Sequence, residues 1–260
     1  MLIAGIQMDI AWEEPKESFA LARRQLDRAE AAGARFCVLP EMFATGFSMN
    51  AEKVAAFAGE IRAFLAAESS RRGLWLLGGF AESQDPRPRN ACALFDPSGI
   101  ERLHYQKIHP FSPAGEHEHY EGGNSVSSFS VEGVSVTPFI CYDLRFPEPF
   151  RAAAAHTDLF VVIANWPERR RSAWETLLRA RAIENHAFVL GVNRVGEAGG
   201  LPHSGDSALI DPLGECRSSA HGSEALVMGE VDHEEVETCR RRFSFLADRR
   251  TEVYRELRGY

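Results

Sequence analysis

No apolar run in the 260 residues approaches the ~20 that a membrane-spanning helix needs, so no membrane partner is expected. The opening Met1-Leu2-Ile3-Ala4-Gly5-Ile6-Gln7-Met8-Asp9 lacks a basic stretch and meets an acid at once, which does not fit a secretory leader. Cysteine is scarce. Its five positions, 37, 92, 141, 216 and 239, are scattered and form no CxxC pair, which argues against a disulfide framework or zinc ribbon and for a reducing, cytoplasmic setting. Positive charge is short as well. Lys and Arg number 29 against 37 Asp and Glu, a net charge of −8, the wrong sign for nucleic acid or an anionic surface. The runs Arg169-Arg170-Arg171 and Arg240-Arg241-Arg242 read as solvated faces. There is no repeat, no low-complexity linker and no composition break, so one domain over 1–260 is expected.

What is present is ordinary for a globular protein: 45% hydrophobic and 25% charged residues. Apolar runs at 2–8, 36–39, 74–79, 91–95, 134–141, 159–164, 188–193, 208–210 and 226–231 read as strands, several apolar enough to be covered on both faces. Helical periodicity runs from Pro15 to Ala32, from Glu52 to Arg72 with Gly59 as a weak point, through the Ala152–Ala155 run, from Ser172 to His186 and from Asp232 to Arg242. Helices between early strands, and strands joined by turns later, predict sheet layers with helices outside. Asp85-Pro86-Arg87-Pro88-Arg89 and the segment from Gly196 to Gly200 read as mobile loops.

Three chemically capable residues fall at strand ends, where α/β layouts place reactive groups. Glu41 follows Phe36-Cys37-Val38-Leu39-Pro40, Lys107 follows Tyr105-Gln106, and Cys141 follows Val136-Thr137-Pro138-Phe139-Ile140. Taken singly, each has an ordinary structural explanation: a cap, a surface charge, a small buried apolar residue. His117 and His119 could share a face as metal ligands do, but further ligands are wanting and no metal is expected. A Cys–His dyad through His109 or His203 is a weaker alternative. Gly78-Gly79 and Gly122-Gly123-Asn124 lack phosphate-loop spacing, and Ser204-Gly205-Asp206 is a turn rather than a nucleophile elbow.

Together, Leu39-Pro40-Glu41-Met42-Phe43, Gln106-Lys107-Ile108-His109-Pro110-Phe111 and Ile140-Cys141-Tyr142-Asp143-Leu144-Arg145-Phe146-Pro147-Glu148 resemble the Glu, Lys and Cys motifs of the nitrilase, or carbon–nitrogen hydrolase, superfamily. Gln7, the Arg179–Asn185 stretch and Gly205-Asp206-Ser207 before Asp211-Pro212-Leu213-Gly214 match in order, so the likeness covers nearly the whole chain. The segments 41–48, 116–124 and Ala164-Asn165-Trp166-Pro167 are similar to the bacterial omega-amidase branch, which hydrolyses the terminal amide of 2-oxoglutaramate and related monoamides. The resemblance implies an α/β four-layer α-β-β-α sandwich, usually a homodimer, with neither metal nor organic cofactor and a small-molecule amide as partner.

It also implies roles. Cys141 is the nucleophile, Glu41 the general base, Lys107 and the Tyr142 backbone N–H the oxyanion donors, and Glu116 a second glutamate orienting Lys107 or substrate. A substrate carboxylate calls for a cation. Arg145 suits it, with a structural pairing to Asp143, Glu148 or Glu184 as the competing reading. Trp166, Phe43 and Phe111 are candidates for the acyl-pocket wall. Two alternatives stand beside the omega-amidase reading: the deaminated-glutathione branch, whose motifs are also similar, and an inactive scaffold, which would have no chemical reason to keep all three reactive residues.

Overall fold

A computed structural model describes residues 1–257. Thirteen strands form two sheets. They are β1 (Leu2–Gln7), β2 (Phe36–Val38), β3 (Trp75–Glu82), β4 (Arg89–Phe95), β5 (Glu101–Gln106), β6 (Phe129–Val131), β7 (Val134–Ile140), β8 (Leu159–Ala164), β9 (Phe188–Asn193), β10 (Val195–Ala198), β11 (Leu201–Ile210), β12 (Cys216–His221) and β13 (Ala225–Glu230). The first sheet is ordered β13-β1-β2-β3-β4-β5, and the second β10-β11-β9-β8-β7-β6 with β12 paired to β11. The centre of each sheet is parallel and the margins are antiparallel.

Strand alternation separates the layers. In the first sheet Ile3, Phe36, Val38, Leu77 and Leu94 join the large core shared with the second sheet. Their neighbours Ala4, Cys37, Leu39, Leu76 and Ala93 point the other way, into a core with Phe19, Ala22, Leu26, Phe64 and Leu65. The latter residues lie on α1 (Pro15–Ala31) and the helix Ala58–Arg72, which therefore cover the outer face. On the far side Trp174, Leu178 and Ala182 of the helix Arg171–Asn185 pack on β9 and β11. The result is the expected α-β-β-α sandwich.

Pro15 fixes the start of α1, where its missing N–H costs nothing, and Gly73 in the left-handed region ends the helix Ala58–Arg72. The single helix expected from Glu52 to Arg72 is two, α2 (Ala51–Ala55) and α3 (Ala58–Arg72), with a break at Ala56-Phe57 just before Gly59. The remaining helices are α4 (Glu116–His119), α5 (Pro147–Ala153), α6 (Arg171–Asn185), α7 (His233–Arg242) and α8 (Thr251–Glu256). Part of the supposed loop at 196–200 belongs to β10, paired antiparallel with β11. All five cysteines are free thiols.

Candidate active site

Glu41 begins a tight turn just beyond β2, with Met42 in the left-handed region at φ 44°. The turn lies directly on β3. A Cβ on Gly79 would come within 2.8 Å of Glu41 Cα and 2.9 Å of Met42 N, so only glycine permits this approach. The Glu41 carboxylate is fully buried and saturated with donors. Oε1 accepts from Asn90 Nδ2 at 2.8 Å and Lys107 Nζ at 3.0 Å, and Oε2 from the Asn165 backbone N–H at 2.7 Å. Asn165 Nδ2 also donates to the Glu41 carbonyl at 2.6 Å, fixing the turn itself. A buried carboxylate is tolerable only with partners of this kind.

Lys107 follows β5, its N–H donating to Asn90 O at 2.8 Å and its carbonyl accepting from Gly123 N at 2.7 Å. Nζ reaches both Glu41 and Glu116, the latter at 2.8 and 3.1 Å. Burial opposes the ammonium charge, but Glu116 and Glu41 outweigh it and hold Lys107 above the ordinary lysine range. Glu116 opens α4, with Oε1 accepting from Asn90 Nδ2 at 2.9 Å and Oε2 from the Phe111 backbone N–H. Burial pushes Glu116 above the usual carboxylate range against the pull of Lys107, and the Glu41 charge adds to the rise. Asn90 thus divides its amide between two carboxylates that share one ammonium.

Cys141 follows β7 directly and starts a 3₁₀ turn, Cys141–Arg145, with φ 48°, a sparsely populated conformation for a non-glycine residue. Burial pushes its thiol well above the usual range; Glu41 adds to this and Lys107 opposes it. Asp143, two residues on, fastens the turn. It is fully buried and accepts from Ile140 N–H at 3.1 Å, Tyr105 OH at 2.7 Å and His109 N–H at 3.0 Å, with His109 Nδ1 at 2.8 Å. One carboxylate therefore ties the cysteine turn to the segment carrying Lys107.

Cys141 lines a cavity of about 360 Å³ together with Tyr142, Asn165, Trp166, Phe111, Phe47, Met49 and Trp12. Arg145, Arg169, Arg170, Leu201 and His203 also face it. Arg145 makes no ion pair with Asp143, Glu148 or Glu184; its guanidinium lies 5.0 Å from the Trp166 ring centre, while Glu184 pairs with Arg181 at 2.8 Å. Phe43 is a correction. Its expected place in the substrate pocket is not where the ring lies: the turn at Met42 sends it into the outer core, 6.1 Å from Phe19 and 5.8 Å from Phe64, on the helix side of the first sheet. The run Arg169-Arg170-Arg171 is the expected solvated face only in part: Arg169 and Arg171 are exposed, and Arg170 is half-buried. Arg169 and Arg170 border the cavity, and Arg171 pairs with Glu175 and Asp206, each at 3.0 Å. Arg240 likewise is no solvated charge, donating to Ala154 O at 2.9 Å and Thr157 O at 2.6 Å.

The histidines resolve differently. His109 is held by Asp143 and stacked on Phe146 at 3.8 Å, and His117 and His119 are exposed on α4. His203 faces the cavity, Nδ1 bonded to Leu201 O at 3.0 Å, and burial lowers its pKa to about 4. Sequence reasoning missed Asn90 and the dual role of Asn165. A polar residue beside the apolar run 91–95 was the available signal for Asn90.

A carbon–nitrogen hydrolase family model matches residues 2–241. The chain belongs to the carbon–nitrogen hydrolase family. Among similar proteins, omega-amidase YafV of Yersinia enterocolitica is 40% identical over 213 residues, 81% of this chain and 82% of that one. The 2-oxoglutaramate amidase of Bacillus subtilis (strain 168) is 30% identical over 97% of this chain and 98% of its own. XC1258 from Xanthomonas campestris, a CN-hydrolase superfamily protein with an arsenic adduct in its active site, superposes with a TM-score of 0.90 at 32% identity, covering 96% and 97% of the two chains. The amidase from Nesterenkonia sp. AN1, whose active-site cysteine takes up acrylamide in a mutant, gives 0.88 at 26% identity, covering 98% and 99%. This carbon–nitrogen hydrolase is an amide-hydrolysing enzyme of the nitrilase superfamily, with the superfamily's α/β sandwich.

Proposed function

We propose that the enzyme hydrolyses the terminal amide of small dicarboxylic monoamides such as 2-oxoglutaramate, releasing ammonia through a thioester on Cys141. One observation carries the mechanism: Glu41 and Glu116 share Lys107 within hydrogen-bond distance, with Cys141 at the adjoining cavity wall. The thiol holds its proton in the free enzyme, so attack on the amide carbon needs a base. Glu41 takes that proton as the C–S bond forms. Lys107 and the Tyr142 N–H stabilise the oxyanion, where one such donor is worth ~10²–10³ in rate. Glu41 returns the proton to nitrogen as the C–N bond breaks and ammonia leaves. It then deprotonates water for attack on the thioester, and the thiol recovers its proton as the acid departs. Glu116 keeps Lys107 charged and aimed. Among the described residues no group of three or more His, Cys, Asp or Glu is placed to hold a metal, and no step calls for one.

The substrate class rests on the relatives' activities and on Arg145, a cation at the cavity with no ion-paired carboxylate among the described residues. Ammonia release from 2-oxoglutaramate, with mass spectrometry for an acylated Cys141 peptide, tests both parts. Cys141→Ala should fold normally and release no ammonia; unchanged activity would remove the nucleophile assignment. A panel adding succinamate and deaminated glutathione fixes the preferred acid, and turnover of the glutathione derivative alone would overturn the assignment to small dicarboxylic monoamides. The same reading takes residues 1–260 as one catalytic domain, cytoplasmic as its five free thiols suggest, and homodimeric. Exposed Ile183, Leu213 and Phe243 supply apolar surface for a second copy, and sedimentation velocity would test that assembly.

A further inference from the structure

Arg170 reaches from one wall of the cavity to another. Its backbone carbonyl accepts the Trp166 indole N–H at 2.9 Å, while its guanidinium lies 4.7 Å from the Phe111 ring centre. The Arg145 guanidinium lies over Trp166 itself, 5.0 Å from its ring centre. Both aromatic rings border the cavity that Cys141 opens into, so two planar cations are presented to one space, each backed by a ring that limits its freedom. A guanidinium held over an aromatic face still has N–H groups to donate.

Charge balance makes the arrangement informative. Among the described residues Arg145, Arg169 and Arg170 have no carboxylate within ion-pair distance, although the chain carries an acidic excess and the next residue, Arg171, is paired twice. Burial lowers the Arg170 pKa, and the neighbouring charges of Arg169 and Arg145 lower it further. Arg145 and Arg169 are exposed and Arg170 is half-buried, so the like charges meet at the mouth of the cavity, and an anion placed among them removes their repulsion as well as gaining the bonds.

We propose that Arg145 and Arg170 form a two-sided clamp for a carboxylate on the acyl part of the substrate, and that Arg170 sets the preference for acidic over neutral amides. The clamp rests on the amidase reading above and narrows its substrate class. Arg145 alone would mark one wall; the pair defines both the position of the carboxylate and the direction from which the amide approaches Cys141. Arg169, exposed at the rim, adds positive potential that draws the anion in.

Two measurements test it. The first compares succinamate with butyramide, its neutral counterpart with methyl in place of carboxylate. Arg170→Gln should lower the ratio of their kcat/KM values about 10–100-fold, the usual worth of a hydrogen-bonded charge, mainly through the KM for succinamate. Arg170→Lys should recover part of that loss. The second uses no turnover: peptide-resolved alkylation of Cys141 by iodoacetate and by iodoacetamide at one pH. The anionic reagent should lose its relative advantage in Arg170→Gln, whatever the thiol pKa, because both reagents need the same thiolate. A kcat/KM ratio or an alkylation ratio that Arg170→Gln leaves unmoved overturns the clamp. Wild-type enzyme that releases no ammonia from any acidic amide refutes the amidase substrate reading instead, and the alkylation ratio still decides the clamp.

Discussion

The two ends of the cavity solve opposite electrostatic problems. At the reactive end, Glu41, Lys107 and Glu116 are essentially excluded from solvent and each charge is bonded to the others or to Asn90, Asn165 or Phe111 N. At the other end Arg145 and Arg170 lie over aromatic rings, with no carboxylate within ion-pair distance among the described residues. In the mechanism proposed above, the groups that must keep one geometry through proton transfers are locked before substrate arrives, whereas the two arginines proposed to recognise an anion keep their bonding capacity unspent. Preorganisation at one end and unsatisfied charge at the other are thus both properties of the free enzyme.

Lys107→Met attacks the locked end most severely. It strands two buried carboxylates without their cation, and we expect a loss of about 3–5 kcal/mol in denaturant-measured stability together with background activity. Stability equal to wild type would show that the cluster is not held by charge. Glu41→Gln keeps the shape but not the base. Its kcat should fall ~10²–10⁴-fold with far less damage to the fold, and an acylated Cys141 peptide should persist if water activation is the slower half. Gly79→Ala moves Glu41 without touching its chemistry. A Cβ there meets the Glu41 backbone at 2.8 Å, and misplacement on the ångström scale typically costs ~10²-fold in kcat. Ordinary activity in that variant would show that the turn can give way.

The recognition end should show smaller effects at neutral pH. Burial, with Arg194 nearby, depresses His203 to about 4 from its ordinary 6.5. Between those values the unfolded chain binds a proton that the native protein refuses, so stability rises with pH through the window from about 4 to 6.5 and has its full value above it. The slope amounts to at most about 3 kcal/mol over that range. His203→Gln should flatten it while leaving stability near pH 7 little changed. Urea denaturation at pH 4.5, 5.5 and 7 would read the difference, and an unaltered slope would exclude His203 as its source.

The sequence made the locked end largely legible and the recognition end only partly so. Glu41, Lys107 and Cys141 each come just after a strand, a position that apolar runs reveal directly. Glu116 came into view through the motif likeness, since its nine-residue separation from Lys107 says nothing about a turn folding back to the same ammonium. Phe43 was misplaced because the reversal at Met42 is a backbone event with no glycine to announce it. Arg170 was hidden for a different reason. Three consecutive arginines look alike in one dimension, yet Arg171 starts α6 while Arg170 still lies in the turn before it and faces the cavity. The break between α2 and α3 was foreshadowed by Gly59, but propensity alone could not decide between a weakened helix and two helices.

The protonated state of Cys141 has a consequence for survival. Peroxides and soft electrophiles attack thiolates, and this side chain holds little of that form at neutral pH. Exposed Cys216 is the more accessible target. The resting thiol is therefore shielded from inactivation chiefly by its own burial, with the Glu41 charge adding to the effect, and its vulnerability should be greatest during turnover rather than at rest.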